Sequence, residues 1–573
     1  MKWTQTLLRR KTLDRILEQE ATRPEGERMH RRMTVRDLTA FGLAAIIGSG
    51  IYSAIGEAVF QGGPATSLLY VFTALACGLA ALCYAEFASL IPISGSAYTY
   101  SYAAFGELFA WIIGWDLIIE YGIGNIAVAI SWSDYFTQLW SSVPGLHWPA
   151  WLGMDALSAA NGHEKAEALL AAGQPLPAYL AEARAAWQQA PVLLGLPLIL
   201  DLPALLIVAL ITYIAYIGIR ESKRAGNLMV AVKLLVLLVV VVLGAFFIDT
   251  QNWQPFAPRG WAGVMGGVAA VFFAYIGFDA ISTTAEEAKN PQRDLPRATL
   301  YSLGISTLLY VLVVLVLTGM VPFTELKVGD PLAYVFEYVG LGWMSGIIAV
   351  SAVFAIASVL LVFQVGQPRI WMSMSRDGLL PPRFGRLHPR FRTPGFSTIM
   401  TGLLVGLPLL FVNLEEMLNL SSIGTIFAFV LVCGGILRLH QDEAYRKHPN
   451  RRFRLPYISA RAPMPLLYMV GWYVVALQAP QAIEHFFAPT SLYEMLPTYL
   501  FVLVVTGLTV WAFLRSLSLI PLLGLICCLY LMSQLHVSNW LRFLLWLAVG
   551  LVIYFGYGRR HSRLNAATTP PAA

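Results

Sequence analysis

The sequence reads as an all-α polytopic membrane protein of about 14 transmembrane helices, arranged as two blocks of five followed by four more. Its composition points there first. Of 573 residues, 57% are hydrophobic and only 13% are charged, and the mean hydropathy is +0.64. Apolar runs of about twenty residues, the length needed to cross a bilayer, recur from end to end. A soluble multi-domain enzyme would alternate such runs with polar faces, and this chain does not. A matched pair of helix breaks, one in the first helix of each block, completes the assignment.

Residues 1–37 form a basic, amphipathic lead with Arg9, Arg10, Lys11, Arg28, Arg31, Arg32 and Arg36. Span 1 follows, from about Asp37 to Phe60, and contains Gly48-Ser49-Gly50. Three small residues in a row are poor helix formers and leave the backbone open to a neighbour. They mark either a tight helix–helix contact or a discontinuous helix lining a cavity. The turn Gly62-Gly63-Pro64 leads to span 2, about Thr66 to Leu90, and span 3 runs from about Tyr102 to Tyr135 with Asp116 and Glu120. The segment 138–200 is too polar and proline-broken to span, so it is expected as an extramembrane cap with helices near Glu164–Leu170 and Ala178–Trp187. Spans 4 and 5 cover about 202–219 and 225–248, and spans 6 to 10 lie at about 261–285, 298–321, 343–366, 396–412 and 416–437. Four more apolar segments follow at about 464–483, 497–514, 517–534 and 539–557.

With fourteen spans both termini share a side. The basic stretches (the lead, 220–224, 289–297, 376–392, 446–454 and Arg559-Arg560-His561) then all fall on one face. The excess of Lys and Arg makes that face cytoplasmic. The predicted organisation is a cytoplasmic N-terminus at 1–37 and a first five-helix repeat at 38–248 that includes the extracytoplasmic loop 138–200. A second, inverted repeat at 249–440, four C-terminal helices at 441–558 and a cytoplasmic tail at 559–573 complete it. The net charge of +6 is no nucleic-acid signal, because it sits between spans. All five cysteines lie in apolar runs, which implies no disulfide framework. All nine histidines lie in loops, termini or span ends, so no intramembrane metal site is expected. No signal peptide is evident in the charged N-terminus.

Because five is odd, the second block must cross the membrane in the opposite sense. Span 6, its first helix, carries Phe272-Phe273-Ala274-Tyr275-Ile276-Gly277-Phe278-Asp279. Breaks at corresponding positions of inverted halves point to a transporter binding site at the membrane midplane. The residues Ile46-Ile47-Gly48-Ser49-Gly50-Ile51, Phe273 to Ala280 with Glu286-Glu287-Ala288-Lys289-Asn290-Pro291, and Ser375-Arg376-Asp377-Gly378-Leu379-Leu380-Pro381 carry a specific resemblance. The chain resembles the amino acid–polyamine–organocation superfamily, within it the cationic amino acid transporter branch and its bacterial relatives. The likeness covers about 33–440 and 516–563. It implies a LeuT-like 5+5 inverted-repeat core with broken helices 1 and 6.

A broken helix supplies N–H donors for a carboxylate and carbonyl acceptors for an ammonium without charged side chains. The resemblance implies a carboxylate site at Ser49 and Gly50, beside Gly48. It implies an ammonium site at the carbonyls of Ile46, Phe273 and Ile276, with Ala274 in the same turn and the Phe273 ring as a lid. Selectivity is expected from side chains of spans 3, 6, 8 and 10. Asp279 and Glu120 are candidates either for binding a cationic side chain or for carrying protons.

Lys233 lies ten residues beyond Lys223, so about 15 Å deep at 1.5 Å per residue, near the bilayer centre. An ammonium there costs several kcal/mol unless it is paired. It is either half of an ion pair or a group whose charge is tied to conformation; in relatives the matching lysine stands where sodium sits in sodium-coupled members of the fold. The expected protein is thus a secondary transporter importing amino acids by proton symport at the plasma (inner) membrane. It needs no cofactor and no ATP, since no Gly-x-x-x-x-Gly-Lys-Ser/Thr loop occurs. Its partners are the amino acid, protons and the lipid bilayer. A cationic amino acid uniporter or exchanger and a non-transporting sensor are the alternatives. A membrane enzyme is disfavoured, because no intramembrane His or Asp-rich motif appears.

Overall fold

Thr34 opens the first membrane helix with a reciprocal cap: its side chain accepts from the Asp37 N–H while Asp37 accepts from the Thr34 N–H. The computed structural model, which describes residues 9–24, 28–48, 50–141, 148–193, 196–328, 330–412, 414–448, 452–478, 480–487 and 492–566, is helical throughout apart from a two-residue strand pair at Val192–Leu193 and Leu196–Pro197. Among the described residues, eight helical stretches are long and apolar enough to cross a membrane, and four shorter apolar helices accompany them. The chain is a multi-pass helical membrane protein.

The helix Val35–Ile46 stops because Ile47 turns to an extended conformation (ψ 91°). Helical turns resume at Gly50, as a π-type turn over Gly50–Ala54 that runs into Ile55–Gly62. Ser49 lies outside the described residues. The chain reverses at Gly63, where φ is +62°, and Pro64 opens the short turn before the 25-residue helix Thr66–Leu90. The sixth span is equally interrupted. Gly260–Gly266 and Val268–Phe273 are helical, Gly277 takes a left-handed φ of +111°, and the chain continues as a 3-10 helix over Phe278–Glu287.

Span 3 departs from expectation at its start. Tyr102 belongs to a separate short helix, Ala97–Ala104, and the chain turns at Gly106 (φ +107°) before the membrane helix begins at Glu107. Gly106 permits that turn because no Cβ clashes there. The buried Glu107 carboxylate holds the corner, accepting from Tyr102, Tyr554 and Ser562. Further along, a π-bulge over Ile119–Ile123 rotates Glu120 and Tyr121 before the helix resumes as Gly124–Ser141. The cap consists of two helices, Ala156–Ala171 and Ala178–Gln189, closed around Ala159, Ala186, Ala190 and Ile199.

The basic stretches do share one face. Lys11 pairs with Asp377 and Arg23 with Glu286. Lys223 pairs with Asp37, His448 approaches Asp14, and the Arg9 guanidinium donates to the Leu564 carbonyl. Arg32 and Met33 donate their N–H groups to the Glu287 carbonyl, so the lead is strapped under span 6.

Candidate functional site

The two helix breaks lie against each other. A Cβ on Gly50 would sit 2.5 Å from the Ala274 Cα, and one on Gly277 would sit 2.8 Å from the Ala45 Cβ. Only glycine lets these backbones approach so closely, and that approach places the ends of four helical pieces together. The Tyr310 hydroxyl bridges them, 2.9 Å from the Ile46 carbonyl and 3.0 Å from the Ala274 carbonyl. The Phe273 carbonyl accepts weakly, at 3.3 Å, from the Ile276 N–H. The Ile46 and Phe273 carbonyls, assigned to the ammonium by the resemblance, already accept from the Tyr310 hydroxyl and the Ile276 N–H, and Tyr310 is a partner that the sequence did not reveal.

A cavity of about 30 Å³ opens at this junction. At the ~10–15 Å³ that one water needs, it has room for only two or three, far less than an organic substrate requires. Ile46, Gly48, Gly50, Phe273 and Ile276 line it, whereas Ala274 packs behind it against Gly50. The remaining wall comes from Val128 and Gly124 of span 3, Val359 and Phe363 of span 8, and Ser421 of span 10. Those are the spans from which selectivity was expected. No sequence signal singles out the individual residues, because a membrane helix is apolar on every side. Among the described residues, no charged side chain lines the cavity.

Lys233 reaches the same break from span 5. Its ammonium lies 2.6 Å from the Ile47 carbonyl, 3.2 Å from the Ala44 carbonyl and 2.8 Å from the Ser358 hydroxyl. Ser358 in turn lies within hydrogen-bonding reach of the Ala44 and Ala355 carbonyls. Three acceptors meet the three donors that an ammonium carries. The side chain is wholly buried, and its partners are carbonyls and a hydroxyl rather than a carboxylate. An ion pair with an acid of span 3 is therefore not the arrangement found.

The acids form a second group, outside the lining of the cavity. Tyr121 donates to Asp279, and Glu120 faces Asp279 across the π-bulge. Asp116, Glu120 and Asp279 are all buried; Glu120 lies within reach of Thr425 and Asp279, and neither oxygen of Asp116 has a hydrogen-bond partner among the described protein groups. The three bring carboxyl groups from spans 3 and 6 together and leave them without a cation.

Ionic contacts close the basic face beneath these groups. Arg369 forks onto Glu287 at 2.7 and 2.8 Å, with both side chains buried. Arg376 and Arg23 converge on Glu286. Burial opposes ionisation of Glu286, yet the two guanidiniums outweigh it and hold its carboxyl below the ordinary glutamate value. At the end of span 2, Glu86 accepts from the Leu455 N–H and lies 3.2 Å from His440 Nε2.

Comparison with known proteins finds matches along nearly the whole chain. Residues 33–513 match the amino acid permease family, and residues 517–562 match the family's C-terminal region. The chain is 37% identical to the branched-chain amino acid permease BcaP of Bacillus subtilis (strain 168), over 94% of this chain and 96% of that protein. It is 35% identical to the methylthioribose transporter of the same organism, over 98% and 99%. It is 31% identical to cationic amino acid transporter 4 of Homo sapiens, over 95% and 89%.

Proposed function

Since the chain belongs to the amino acid permease family, we propose that it imports neutral, apolar α-amino acids across the plasma membrane by proton symport. The observation that carries this reading is the cavity at the paired breaks: backbone groups for the α-carboxylate and α-ammonium, and otherwise Val128, Val359, Phe363, Phe273 and Ile276. An apolar side chain gains about 0.8 kcal/mol per methylene buried against such a wall, whereas a guanidinium or ammonium would lie there unpaired. The branched-chain permease among its relatives supports the same substrate class.

The protein works in this reading as a 5+5 inverted repeat of fourteen spans with both termini cytoplasmic. Gly50, Ser49 and Gly48 face the carboxylate, and the carbonyls at Ile46, Phe273 and Ile276 face the ammonium, with Ala274 holding the turn against span 1. The Phe273 ring covers the substrate. The charged Lys233 matches all its donors only while span 1 keeps its present position. Loss of its proton leaves one acceptor unmatched and frees the first half of span 1 to move, which couples transport to the proton gradient. Sodium is unnecessary because the ammonium occupies the cation position, and no ATP is consumed. Glu120 and Asp279 form a further proton-carrying pair.

A second reading, uptake or exchange of cationic amino acids, is favoured by the buried Glu120–Asp279 carboxyl pair behind the cavity, which has no cationic partner among the described residues. A sensor that binds without transport is the third. Purified protein in vesicles with an imposed pH gradient separates them. The expected result is proton-driven accumulation of leucine or valine, poorly inhibited by arginine, lysine, N-acylated analogues or plain amines. Preferential arginine uptake would establish the second reading, and binding without accumulation the third.

A further inference from the structure

The two ends of the described chain meet at one point on the basic face. After the last membrane helix, Val537–Ile553 and its continuation to His561, the chain turns back against the bundle. There the buried Ser562 hydroxyl donates to the Glu107 carboxylate at 2.5 Å, and the Arg563 N–H donates to the Asp377 carbonyl at 3.1 Å. Gly378 makes that seat possible: its φ is +85°, and a Cβ there would lie 2.3 Å from the His561 carbonyl oxygen. Glycine alone takes this backbone shape at little cost and lets the tail lie directly on it.

The lead closes over the tail. The Arg9 guanidinium donates to the Leu564 carbonyl at 3.3 Å, and the Arg9 carbonyl accepts from the Glu107 N–H at 3.0 Å. Lys11 Nζ lies 2.7 Å from Asp377, whose other carboxylate oxygen accepts from the Tyr98 hydroxyl at 2.8 Å. Lead and tail therefore share two anchors, Glu107 at the start of span 3 and Asp377 at the end of span 8. Glu107 takes Ser562 on its side chain and Arg9 on its N–H; Asp377 takes Lys11 on its side chain and Arg563 on its carbonyl. Because both ends use the same two residues and also touch each other, the release of one weakens the hold on the other.

Beneath this junction Lys11, Arg23, Thr99, Ser373 and Arg563 line a polar cavity of about 300 Å³. It has room for roughly twenty waters at the ~10–15 Å³ that each needs. The lead also runs on into span 1. The Arg32 and Met33 N–H groups hold the Glu287 carbonyl, and Thr34 caps the helix Val35–Ile46 directly after them. Any swing of that helix draws on a segment whose far end is fixed to span 3, span 8 and the tail.

We propose that Arg9–Lys11 and Ser562–Leu564 form a single clasp that parts before the first half of span 1 moves, so that the C-terminal tail controls opening of the basic face. The proposal rests on the transport reading above, in which that half-helix moves, and its test reads the clasp and the opening separately from uptake. Hydrogen exchange is followed on the full chain in vesicles, for the parent, Ser562→Ala and Lys11→Gln. Coupling between two contacts is reciprocal. Ser562→Ala should therefore lower the protection of residues 9–24 about tenfold, and Lys11→Gln should lower that of residues 559–566 by a similar factor, the change that 1.4 kcal/mol produces. Thr99→Cys reports opening, because Thr99 is buried under the lead and its hydroxyl has no hydrogen-bond partner among the described residues to lose. Its reaction with a membrane-impermeant thiol reagent should rise about tenfold when either substitution is added. Size-exclusion profile and melting temperature establish that the variants are folded; if Ser562→Ala is not, Lys11→Gln, at a partly exposed position, carries the test through the protection of the tail. Loss confined to the segment that carries the substitution would overturn the clasp, since lead and tail would then be held independently. Reciprocal loss with unchanged Thr99→Cys labelling would overturn control of opening. Both results as expected, with no leucine uptake by the parent, would support the clasp and count against the substrate assignment alone.

Discussion

Replacing Lys233 by methionine tests the coupling at its most exposed point. The side chain stays unbranched but is one atom shorter, and it loses all three donors. The Ala44 carbonyl would retain Ser358 at 3.1 Å, but the Ile47 carbonyl would lose the 2.6 Å contact with the ammonium. One orphaned buried carbonyl costs about 1–3 kcal/mol. Because that cost falls on the conformation in which span 1 is seated, it should move the balance between conformations by about 5- to 150-fold. Lys233→Gln is the companion: its amide can donate two hydrogen bonds to the same acceptors, yet it has no proton to exchange. In vesicles with an imposed pH gradient, both variants should lose uphill accumulation of leucine. Lys233→Gln should bind leucine close to normally, while Lys233→Met should show the altered affinity. Sodium should make no difference to the parent. Proton-driven accumulation by a well-folded Lys233→Gln would refute the reasoning and pass the coupling role to Glu120 and Asp279.

Gly50→Leu should abolish uptake while the protein still reaches the membrane; even Gly50→Ala, whose Cβ meets the Ala274 backbone at 2.5 Å, should cost about 1–3 kcal/mol in strain, read as reduced transport and a lower melting temperature. Unchanged uptake by Gly50→Leu would reduce the break to a packing feature. Gly124→Ala places a methyl group 2.7 Å from the Ser421 hydroxyl in the cavity wall. It should raise the KM for leucine more than that for alanine, within the roughly 10- to 200-fold that one methylene is worth, and equal effects on both would remove Gly124 from the selectivity surface. On the basic face, Glu286 has a depressed carboxyl, so its contribution is full above the ordinary glutamate value and is lost as pH falls through the depressed one. Protection from hydrogen exchange over residues 9–24, relative to the free-chain rate at each pH, should therefore be high at neutral pH and be lost below about pH 4. Glu286→Gln should be unprotected at every pH, since breaking a buried charge network costs about 3–5 kcal/mol, and retained protection in that variant would detach the lead from this cluster.

What could be read from residue order alone was whatever depends on local chemistry and on the bilayer. Apolar length marks a span regardless of its neighbours, because the membrane satisfies no backbone group. Gly48, Gly50 and Gly277 announce broken helices because small residues fail locally to sustain one. The burial expected of Lys233 follows from its position within an apolar run, and the structure does bury it. The tertiary structure decided whatever depends on rotation about a helix axis and on which helices become neighbours. A membrane helix is apolar on every side, so no periodic pattern in span 3 or span 8 singles out Val128, Val359 or Phe363 as cavity wall. The start of span 3 shifted to Glu107 because a glycine with positive φ and a buried carboxylate, contacted from 447 residues away by Tyr554, set the corner. Tyr310 bridging the two breaks, and carbonyls rather than an acid receiving Lys233, likewise come from residues far apart in the chain. Their contacts exist only once the helices have packed.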